Sequence, residues 1–359
     1  MKMIIICNNT TILSICQSFF VEGFCFFSHG CHKGHLKYQW TDADGYGTLK
    51  GNKRKRGIVM LKPSRLRKGD VIGIIAPCLA AEEAHIAQAE KALGQMGFSV
   101  KLGKNLYSRA NGFSGSPEER AADFNEMVLD PKVRMIFFDG GEVSNEILPY
   151  IDYEAAARNP KIILSYSDGT SVLNAVSALS GLETFYGQSP GTISRGNPYN
   201  IGRFTEMLVE GNPVYRKNSD WKVIRGGGAQ GELIGGYLLN FALLMEGKFF
   251  RVHPEKRYIL FLEDHICFNP PAAASRYFSH IGQSGLMSKV DGLIFGHYDG
   301  KPQPEMEEVL RRFGERYGIP VVWCDDFGHG ENQAILPIGV EARFDAGEGT
   351  LTFLESLVL

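Results

Sequence analysis

The chain has 359 residues, 44% of them hydrophobic, so it is long enough to bury one large core or two ordinary ones. Lys and Arg (38) nearly balance Asp and Glu (40), and the formal net charge of −2 gives no electrostatic basis for nucleic acid or an anionic membrane as the main partner. The seven cysteines include no CxxC pair, which argues against a disulfide framework or a zinc site and fits a reduced, cytoplasmic setting.

The first 59 residues differ in character from the rest of the chain. Segment 10–28 is apolar but contains Gln17 and Glu22, so it is too polar and too short for a membrane span. It also lacks the basic region and the small-residue cleavage site of a signal peptide. We expect the functional domain to begin near Met60, with residues 1–59 as an extension outside the fold; a membrane anchor is the less favoured interpretation.

From Leu61 onward, strand and helix patterns alternate. Apolar runs predict strands at 71–76, 98–102 and 133–138, and helical spacing predicts helices at 81–96 and from Ser116 to about Leu129. The second helix has a clear start, with Ser116 as N-cap, Pro117 at the first helical position and Glu119 closing a capping box. This rhythm indicates parallel βαβ units, which bind ligands at the carboxyl ends of their strands.

The stretch KIILSYSDGTSVLNAV changes from strand to helix around Ser167. Lys161–Tyr166 reads as a buried strand, and apolar residues recur at helical spacing from Thr170. A serine at such a corner is most often a helix cap, and local spacing alone favours that interpretation. The alternative is a nucleophile held over the helix N-terminus, with the N–H of Asp168 as an oxyanion donor.

Residues 190–230 interrupt the alternation with Gly, Asn, Pro and Arg. We therefore divide the chain into an N-terminal α/β domain (60–190), a linker (191–230) and a C-terminal domain (231–359). The triple glycine 226–228 does not fit GxGxxG, which argues against a dinucleotide site. Further strands are predicted near 258–262, 292–295 and 321–324, followed by a hairpin over 340–344 and 350–354. The predicted fold is a doubly wound, mainly parallel sheet domain plus a second α/β domain with a β-rich core.

Polar residues follow several of these strands and could converge. Gly140 and Gly141 follow one strand, and Glu263 follows another together with an aspartate and a histidine. His329 lies between glycines after a third, where a core histidine is less expected. Hydroxyl, imidazole and carboxylate are the parts that activate a serine. His265 and His297 are rival bases, and spacing does not choose among the three histidines.

Taken together, the motifs resemble the serine LD-carboxypeptidase family, which includes the microcin C immunity peptidases. The similar strings are 140–153 (GGEVSNEILPYIDY), 159–161 (NPK), 166–168 (YSD), 184–187 (TFYG), 233–236 (LIGG), 260–264 (LFLED), 327–330 (FGHG) and 336–339 (LPIG). The resemblance extends over roughly residues 61–359, in unbroken order. The resemblance implies that Ser167 is the nucleophile, His329 the general base and acid, and Glu263 its orienting partner, with the N–H groups of Gly141 and Asp168 as the oxyanion hole.

The family's reaction is hydrolysis of an amide next to a free carboxylate through an acyl-enzyme. The resemblance implies two domains with the active site between them, a homodimer, a small peptide or muropeptide substrate, and no metal or cofactor. The leading prediction is release of D-alanine from a muropeptide tetrapeptide. A microcin C immunity-type amidase acting on a peptidyl or aspartyl nucleotide is the alternative, and an inactive peptide-binding module is a third possibility.

The sequence departs from the family pattern at several positions near the presumed site. Ser165 replaces the usual glycine before Tyr-Ser-Asp, and Gly169 replaces the usual Ile or Thr after it. Tyr237 stands where asparagine is common. Glu142 and Val143 follow the double glycine in place of an aromatic-Gly or Asn-Asn pair. We expect these changes to affect the choice of substrate more than the chemistry.

Overall fold

The computed structural model describes residues 60–359 and, before them, the paired strands Ile6–Cys7 and Thr10–Thr11. Apart from residues 10 and 11, the apolar segment 10–28 lies outside the described residues. Contacts divide the chain into residues 1–55 and residues 56–359, and every element below belongs to the second unit. None of the helices in its described part is long and apolar enough to cross a membrane.

Thirteen strands and nine α-helices are seen in residues 60–359. The strands are β1 Val71–Ile75, β2 Ser99–Leu102, β3 Val133–Phe138, β4 Ile162–Ser165, β5 Thr184–Tyr186, β6 Lys222–Arg225, β7 Gly228–Tyr237, β8 Tyr258–Glu263, β9 Val290–Phe295, β10 Val321–Trp323, β11 Leu336–Ile338, β12 Glu341–Asp345 and β13 Thr350–Phe353. The helices are α1 Glu83–Gln95, α2 Pro117–Leu129, α3 Tyr153–Arg158, α4 Thr170–Ser180, α5 Pro190–Arg195, α6 Pro198–Phe204, α7 Leu238–Leu243, α8 Pro271–Gln283 and α9 Pro304–Tyr317.

The first sheet has the order β11-β5-β4-β3-β1-β2, and every pair is parallel except β11 with β5. Strands β1 and β3 lie side by side, but the chain leaves β1 toward β2 on one side and leaves β3 toward β4 on the other. Ligands bind outside the carboxyl ends of the strands at such a switch point in doubly wound sheets. The predicted doubly wound N-terminal domain is therefore confirmed.

Local sequence explains why these elements form. Strand β3 is an apolar run that is buried at five of its six positions, as expected for a strand covered on both faces. Helix α2 begins with the predicted capping box: the Ser116 Oγ accepts the Glu119 N–H at 3.2 Å, and the Glu119 carboxylate accepts the Ser116 N–H at 2.8 Å. The strong local signals in the sequence thus mark real element boundaries.

The second sheet has the order β13-β12-β7-β8-β9-β10-β6. Its centre, β7 to β10, is parallel, and antiparallel strands flank it on both sides. The predicted terminal hairpin is present as β12 and β13. Helices α8 and α9 follow β8 and β9 in the chain, so this half is a second α/β domain with a seven-stranded sheet, as expected.

Two parts of the chain differ from the predicted division. Residues 191–230, predicted as a linker, contain α5 from Gly191 onward, α6, a π-helical turn at Thr205–Val209, and β6, the edge strand of the second sheet. Strand β11 lies in the C-terminal third of the chain but pairs with β5 of the first sheet. The C-terminal part of the chain therefore contributes an edge strand to the first sheet, and the predicted linker contributes one to the second. Local patterns do not indicate such distant partners.

The two halves meet where α4 packs against β7. Gly235 has φ +144°, and a Cβ there would lie 1.8 Å from the Phe261 carbonyl oxygen. Gly236 has φ +128°, and a Cβ there would lie 2.4 Å from the Thr170 Oγ1. The Asn174 amide also donates to the Gly235 carbonyl at 2.8 Å. Gly236 thus lets the start of α4 approach the second sheet closely, and Gly235 lets β7 lie close to its neighbour β8.

Candidate active site

The turn between β4 and α4 holds Ser167 in an uncommon conformation. Its φ is +55°, in the left-handed region that non-glycine residues seldom adopt. The turn is a short 3-10 segment, Ser167–Gly169, that leads directly into α4. No side-chain cap is formed at the start of that segment or of α4. The Ser167 side chain is therefore free of the capping role that local sequence favoured.

Instead, the Ser167 hydroxyl contacts the imidazole of His329, the residue predicted as its base. Its Oγ lies 2.8 Å from the Nε2 of His329, and the Nδ1 of His329 lies 2.8 Å from the Oε2 of Glu263. Ser167 follows β4 of the first sheet, Glu263 ends β8 of the second, and His329 follows β10. The structure thus brings all three predicted residues into one hydrogen-bonded chain, although Ser167 and His329 are 162 positions apart in the sequence.

A tyrosine closes this chain into a ring. The hydroxyl of Tyr186, at the end of β5, donates to the Oε1 of Glu263 at 2.5 Å and accepts the N–H of Ser167 at 3.1 Å. Tyr186 is fully buried, and burial together with the Glu263 charge raises the pKa of its phenol. The sequence comparison placed Tyr186 in a matching string but gave it no role, because a contact across 77 residues leaves no local signal.

The electrostatic surroundings of His329 favour a protonated imidazole. Burial alone lowers the pKa of His329, but the charge and hydrogen bond of Glu263, with a contribution from Asp264, raise it above its ordinary value. Glu263 and Asp264 are both fully buried. An imidazole that has taken up the serine proton is thereby stabilised, which is what a base needs in the transition state.

Asp264 is a second buried acid, next to Glu263. Its Oδ1 accepts the His265 N–H at 2.7 Å and the Asn269 amide at 3.0 Å, whereas its Oδ2 is buried without a hydrogen-bond partner among the described residues. Burial raises the pKa of Asp264 to about 7, and the two hydrogen bonds oppose that rise. Asp264 therefore changes charge in the same pH range as a histidine.

The rival histidines lie nearby but do not contact the serine. The His265 ring is stacked on His297 at 5.5 Å and lies 6.3 Å from the His329 ring. The Nδ1 of His297 is hydrogen-bonded to the carboxylate of Asp325. Of the three histidines that spacing left open, the one in contact with Ser167 is His329.

The loop after β3 packs against the turn that contains Ser167 and is strained. Glu142 and Val143 both have positive φ, +71° and +60°. Such values are uncommon for any residue but glycine, and they are rarest for a β-branched residue such as Val143. The loop is tied to the turn that contains Ser167, since the Ser144 N–H donates to the Asp168 Oδ2 at 2.7 Å and the Ser144 hydroxyl donates to the Asp168 carbonyl at 2.8 Å. Gly141 makes no backbone hydrogen bond to any described residue, so its N–H remains a candidate oxyanion donor.

A cavity of about 950 Å³ opens beside these groups. It is lined by Ser167, Asp168 and His329, by the loops that follow β1 and β3, and by Tyr237. This is the switch-point position that the strand order indicates. The Tyr237 ring packs edge-on against His329, with ring centroids 5.0 Å apart. No group of three or more metal-ligating side chains is found in the described part of the chain.

The unusual residues on either side of Ser167 compensate for each other. A Cβ at Gly169 would lie 2.0 Å from the Ser165 Oγ and 2.6 Å from its Cβ. The side chain of Ser165 therefore occupies the space that a side chain at position 169 would need. The serine at position 165 and the glycine at position 169 are therefore linked: the larger residue at 165 fits because the residue at 169 has no side chain.

Comparison with known proteins places both halves of the chain in one family. The model of the LD-carboxypeptidase N-terminal domain matches residues 72–187, and that of the LD-carboxypeptidase C-terminal domain matches residues 230–344. A relative named "Probable murein peptide carboxypeptidase" from Bacillus subtilis (strain 168) is 28% identical over 302 residues, covering 80% of this chain and 93% of that protein.

A second relative is the microcin C7 self-immunity protein MccF of Escherichia coli. It is 28% identical over 333 residues, covering 81% of this chain and 94% of that protein. The structure of wild-type MccF in its apo state matches with a TM-score of 0.72 and 26% identity, covering 83% of this chain and all of that one. A muramoyltetrapeptide carboxypeptidase from Oxalobacter formigenes shares the fold, with a TM-score of 0.68, 23% identity and coverage of 79% and 97%.

Proposed function

Because the chain belongs to the LD-carboxypeptidase family, we propose that it is a serine carboxypeptidase that removes D-alanine from a muropeptide tetrapeptide. The observation that carries this proposal is the chain Ser167–His329–Glu263 at the edge of the cavity, with 2.8 Å at both contacts. The Bacillus subtilis relative, named for murein peptides, supports the choice of substrate.

The proposed reaction has two steps. The Nε2 of His329 takes the proton of the Ser167 hydroxyl while the Oγ attacks the carbonyl carbon of the L,D-peptide bond. The N–H groups of Gly141 and Asp168 stabilise the oxyanion of the tetrahedral intermediate. His329 then gives the proton to the leaving amine, D-alanine departs, and the acyl-enzyme is hydrolysed by a water molecule that His329 activates in the same way.

Three arrangements support the assignment of roles. The positive φ of Ser167 matches a strained turn that presents a nucleophile. The buried Glu263 fixes the orientation of His329 through its Nδ1 and also accepts the His329 N–H at 3.3 Å. Because the raised pKa of His329 favours its charged form, the imidazolium formed during attack is stabilised.

The alternative function is an amidase that cleaves a peptidyl or aspartyl nucleotide, as a microcin immunity peptidase does. MccF favours it, since that protein has been solved in complex with aspartyl sulfamoyl adenosine. Incubation of the purified protein with a D-alanine-terminated tetrapeptide and, separately, with an aspartyl-nucleotide amide, followed by mass spectrometry, distinguishes the two. We expect release of D-alanine; cleavage of the nucleotide amide alone would favour the alternative, and no cleavage of either would contradict both.

An inactive binding module would retain affinity for peptides without turnover. The intact set of three triad residues argues against it. The family resemblance also leads us to propose a homodimer, which light scattering of the purified chain would test; a monomer at micromolar concentration would contradict it.

A further inference from the structure

The charges around the cavity are unevenly distributed. Four acidic residues line it: Glu82, Asp139, Glu142 and Asp168. Among the described residues, Arg195 is the only lysine or arginine that does so. A site that accepts peptides with a free terminal carboxylate needs a cation to oppose that charge, since an unpaired carboxylate loses its hydration on entering a cavity.

Arg195 is the last residue of α5, and no carboxylate of the described residues lies within ion-pairing distance of it. Its guanidinium reaches two neutral oxygens instead, the Thr192 Oγ1 at 3.4 Å and the Gln333 Oε1 at 3.3 Å. By contrast, Arg109 is paired with Glu82 at 2.8 Å. The positive charge of Arg195 is thus uncompensated within the described protein.

The groups that hold Arg195 are themselves buried. Thr192 is fully buried and Gln333 is 2% exposed. The side chain of Gln333 also donates to the Gly328 carbonyl at 3.4 Å, and Gly328 precedes His329. The guanidinium is therefore connected through one buried side chain to the loop that carries the candidate base.

The charge of Arg195 also acts on the neighbourhood of the nucleophile. Burial and the Glu263 charge raise the pKa of Tyr166, the residue before Ser167, to about 12, and Arg195 opposes that rise. The Tyr166 ring packs on His329 with centroids 4.9 Å apart. Arg195 and the triad thus belong to the same electrostatic surroundings.

His85 is the rival cation on the cavity wall. Its Nδ1 lies 3.7 Å from the Oδ1 of Asp139, whose carboxylate is 6% exposed. Any positive charge on His85 is therefore balanced by a neighbouring acid. Arg195 has no such partner, and it offers the planar fork that binds a carboxylate with two parallel hydrogen bonds.

We propose that Arg195 binds the terminal carboxylate of the substrate and so restricts the site to the last residue of a peptide. This inference rests on the proposed carboxypeptidase function. It makes Arg195 a specificity-determining residue: it anchors the departing D-alanine and leaves the chemistry to the triad. A purely structural role, in which Arg195 only interacts with the C-terminal end of α5, would leave substrate choice unchanged.

The test compares a tetrapeptide ending in D-alanine with the same peptide ending in D-alaninamide. In wild type we expect the acid to be preferred in kcat/KM by roughly 10- to 100-fold, the range of a hydrogen-bonded charge pair. Arg195→Gln should bring the ratio close to one, mainly by raising KM for the acid, and Arg195→Lys should give an intermediate ratio. Arg109→Gln, which removes a paired arginine near the same cavity, should keep the wild-type ratio.

Binding to Ser167→Ala protein, measured by calorimetry with the same two peptides, separates this inference from the proposed function. Tighter binding of the acid that disappears on adding Arg195→Gln supports the inference even where wild type hydrolyses neither peptide, a result that would count only against the proposed reaction. The same preference in the presence and absence of Arg195, or no binding of either peptide, overturns it.

Discussion

The first sheet brings backbone strain to the candidate site, whereas the second brings buried charge. After β3 and β4, Glu142, Val143 and Ser167 all have positive φ. At the end of β8, Glu263 and Asp264 have ordinary backbone conformations but are fully buried acids. Strain positions a nucleophile and its oxyanion donors; buried charge sets the basicity of an imidazole. Substitutions in the two regions should therefore fail in different ways.

Loss of charge in the second sheet should have the largest effect. Glu263→Gln keeps the shape of the side chain but removes the charge that stabilises the His329 imidazolium. We expect kcat to fall by on the order of 10³- to 10⁴-fold, as when the acid of a serine triad is neutralised. Steady-state kinetics on the tetrapeptide measure the loss, and thermal unfolding controls for folding. Activity within a few-fold of wild type would mean that Glu263 does not orient the base.

The bridge between the two regions should come next. Tyr186→Phe removes the hydroxyl that joins the Ser167 N–H to the Glu263 carboxylate, leaving both with one hydrogen bond fewer in a buried place. We expect roughly a 10- to 100-fold loss in kcat, corresponding to about 1–3 kcal/mol for an unsatisfied buried group. The position of Ser167 should be affected more than binding, so KM should change little. A kcat equal to that of wild type would show that the hydrogen bonds of the Tyr186 hydroxyl do not help to position Ser167.

Added side-chain volume in the strained turn of the first sheet should lower the stability of the protein. Gly169→Ala places a Cβ 2.0 Å from the Ser165 Oγ, and we expect a destabilisation of about 1–3 kcal/mol, as for overpacking in a core. Ser165→Gly in the same protein removes the clashing atoms and should restore most of that stability. Chemical denaturation of the two single variants and the double variant gives the interaction energy. If the stability changes of the two single variants simply add up in the double variant, residues 165 and 169 do not compete for the same space.

The smallest predicted effect is a shift in pH dependence. In the proposed reaction His329 acts unprotonated, so activity should fall as pH drops through the pKa of His329, which lies above the ordinary value of about 6.5. Ionised Asp264 is one cause of that rise, and Asp264→Asn should move the acidic limb of kcat/KM to lower pH. If the acidic limb of kcat/KM lies at the same pH in Asp264→Asn as in wild type, Asp264 does not contribute to the pKa of His329.

The stability of the same variant should also depend on pH. The pKa of Asp264 in the fold, about 7, lies above its unfolded value of about 3.9, so ionisation disfavours the folded state as pH rises between them. The gain in stability of Asp264→Asn over wild type should therefore grow between about pH 4 and about pH 7 and stay constant above that range. A relative loss of stability over that range would contradict the buried, partly unpaired carboxylate.

Local signals in the sequence predict the elements of the first sheet well. The capping box of α2 and the apolar run of β3 involve neighbouring residues, so each can be recognised from its own segment. Edge strands β6 and β11 escaped prediction because each is fixed by a partner more than 90 residues away, as in the pairing of Val321 with Arg225. Non-local pairing leaves no mark on the segment that is recruited.

The site shows the same division. Motif resemblance singled out Ser167, Glu263 and His329, and the structure places them in contact. The contacts of Tyr186 and Arg195 were not predicted, because each depends on a distant side chain, Glu263 for one and Gln333 for the other. The relation between Ser165 and Gly169 was also missed, although the residues are four positions apart, because it is a matter of packing.

In the proposed mechanism, backbone strain and buried charge act on one nucleophile, Ser167. Intact-mass analysis after reaction with a fluorophosphonate probe, followed by peptide mapping, tests it directly. We predict a single adduct on Ser167 that is absent in Ser167→Ala and forms far more slowly in His329→Ala. Equal labelling of wild type and Ser167→Ala would contradict the claim.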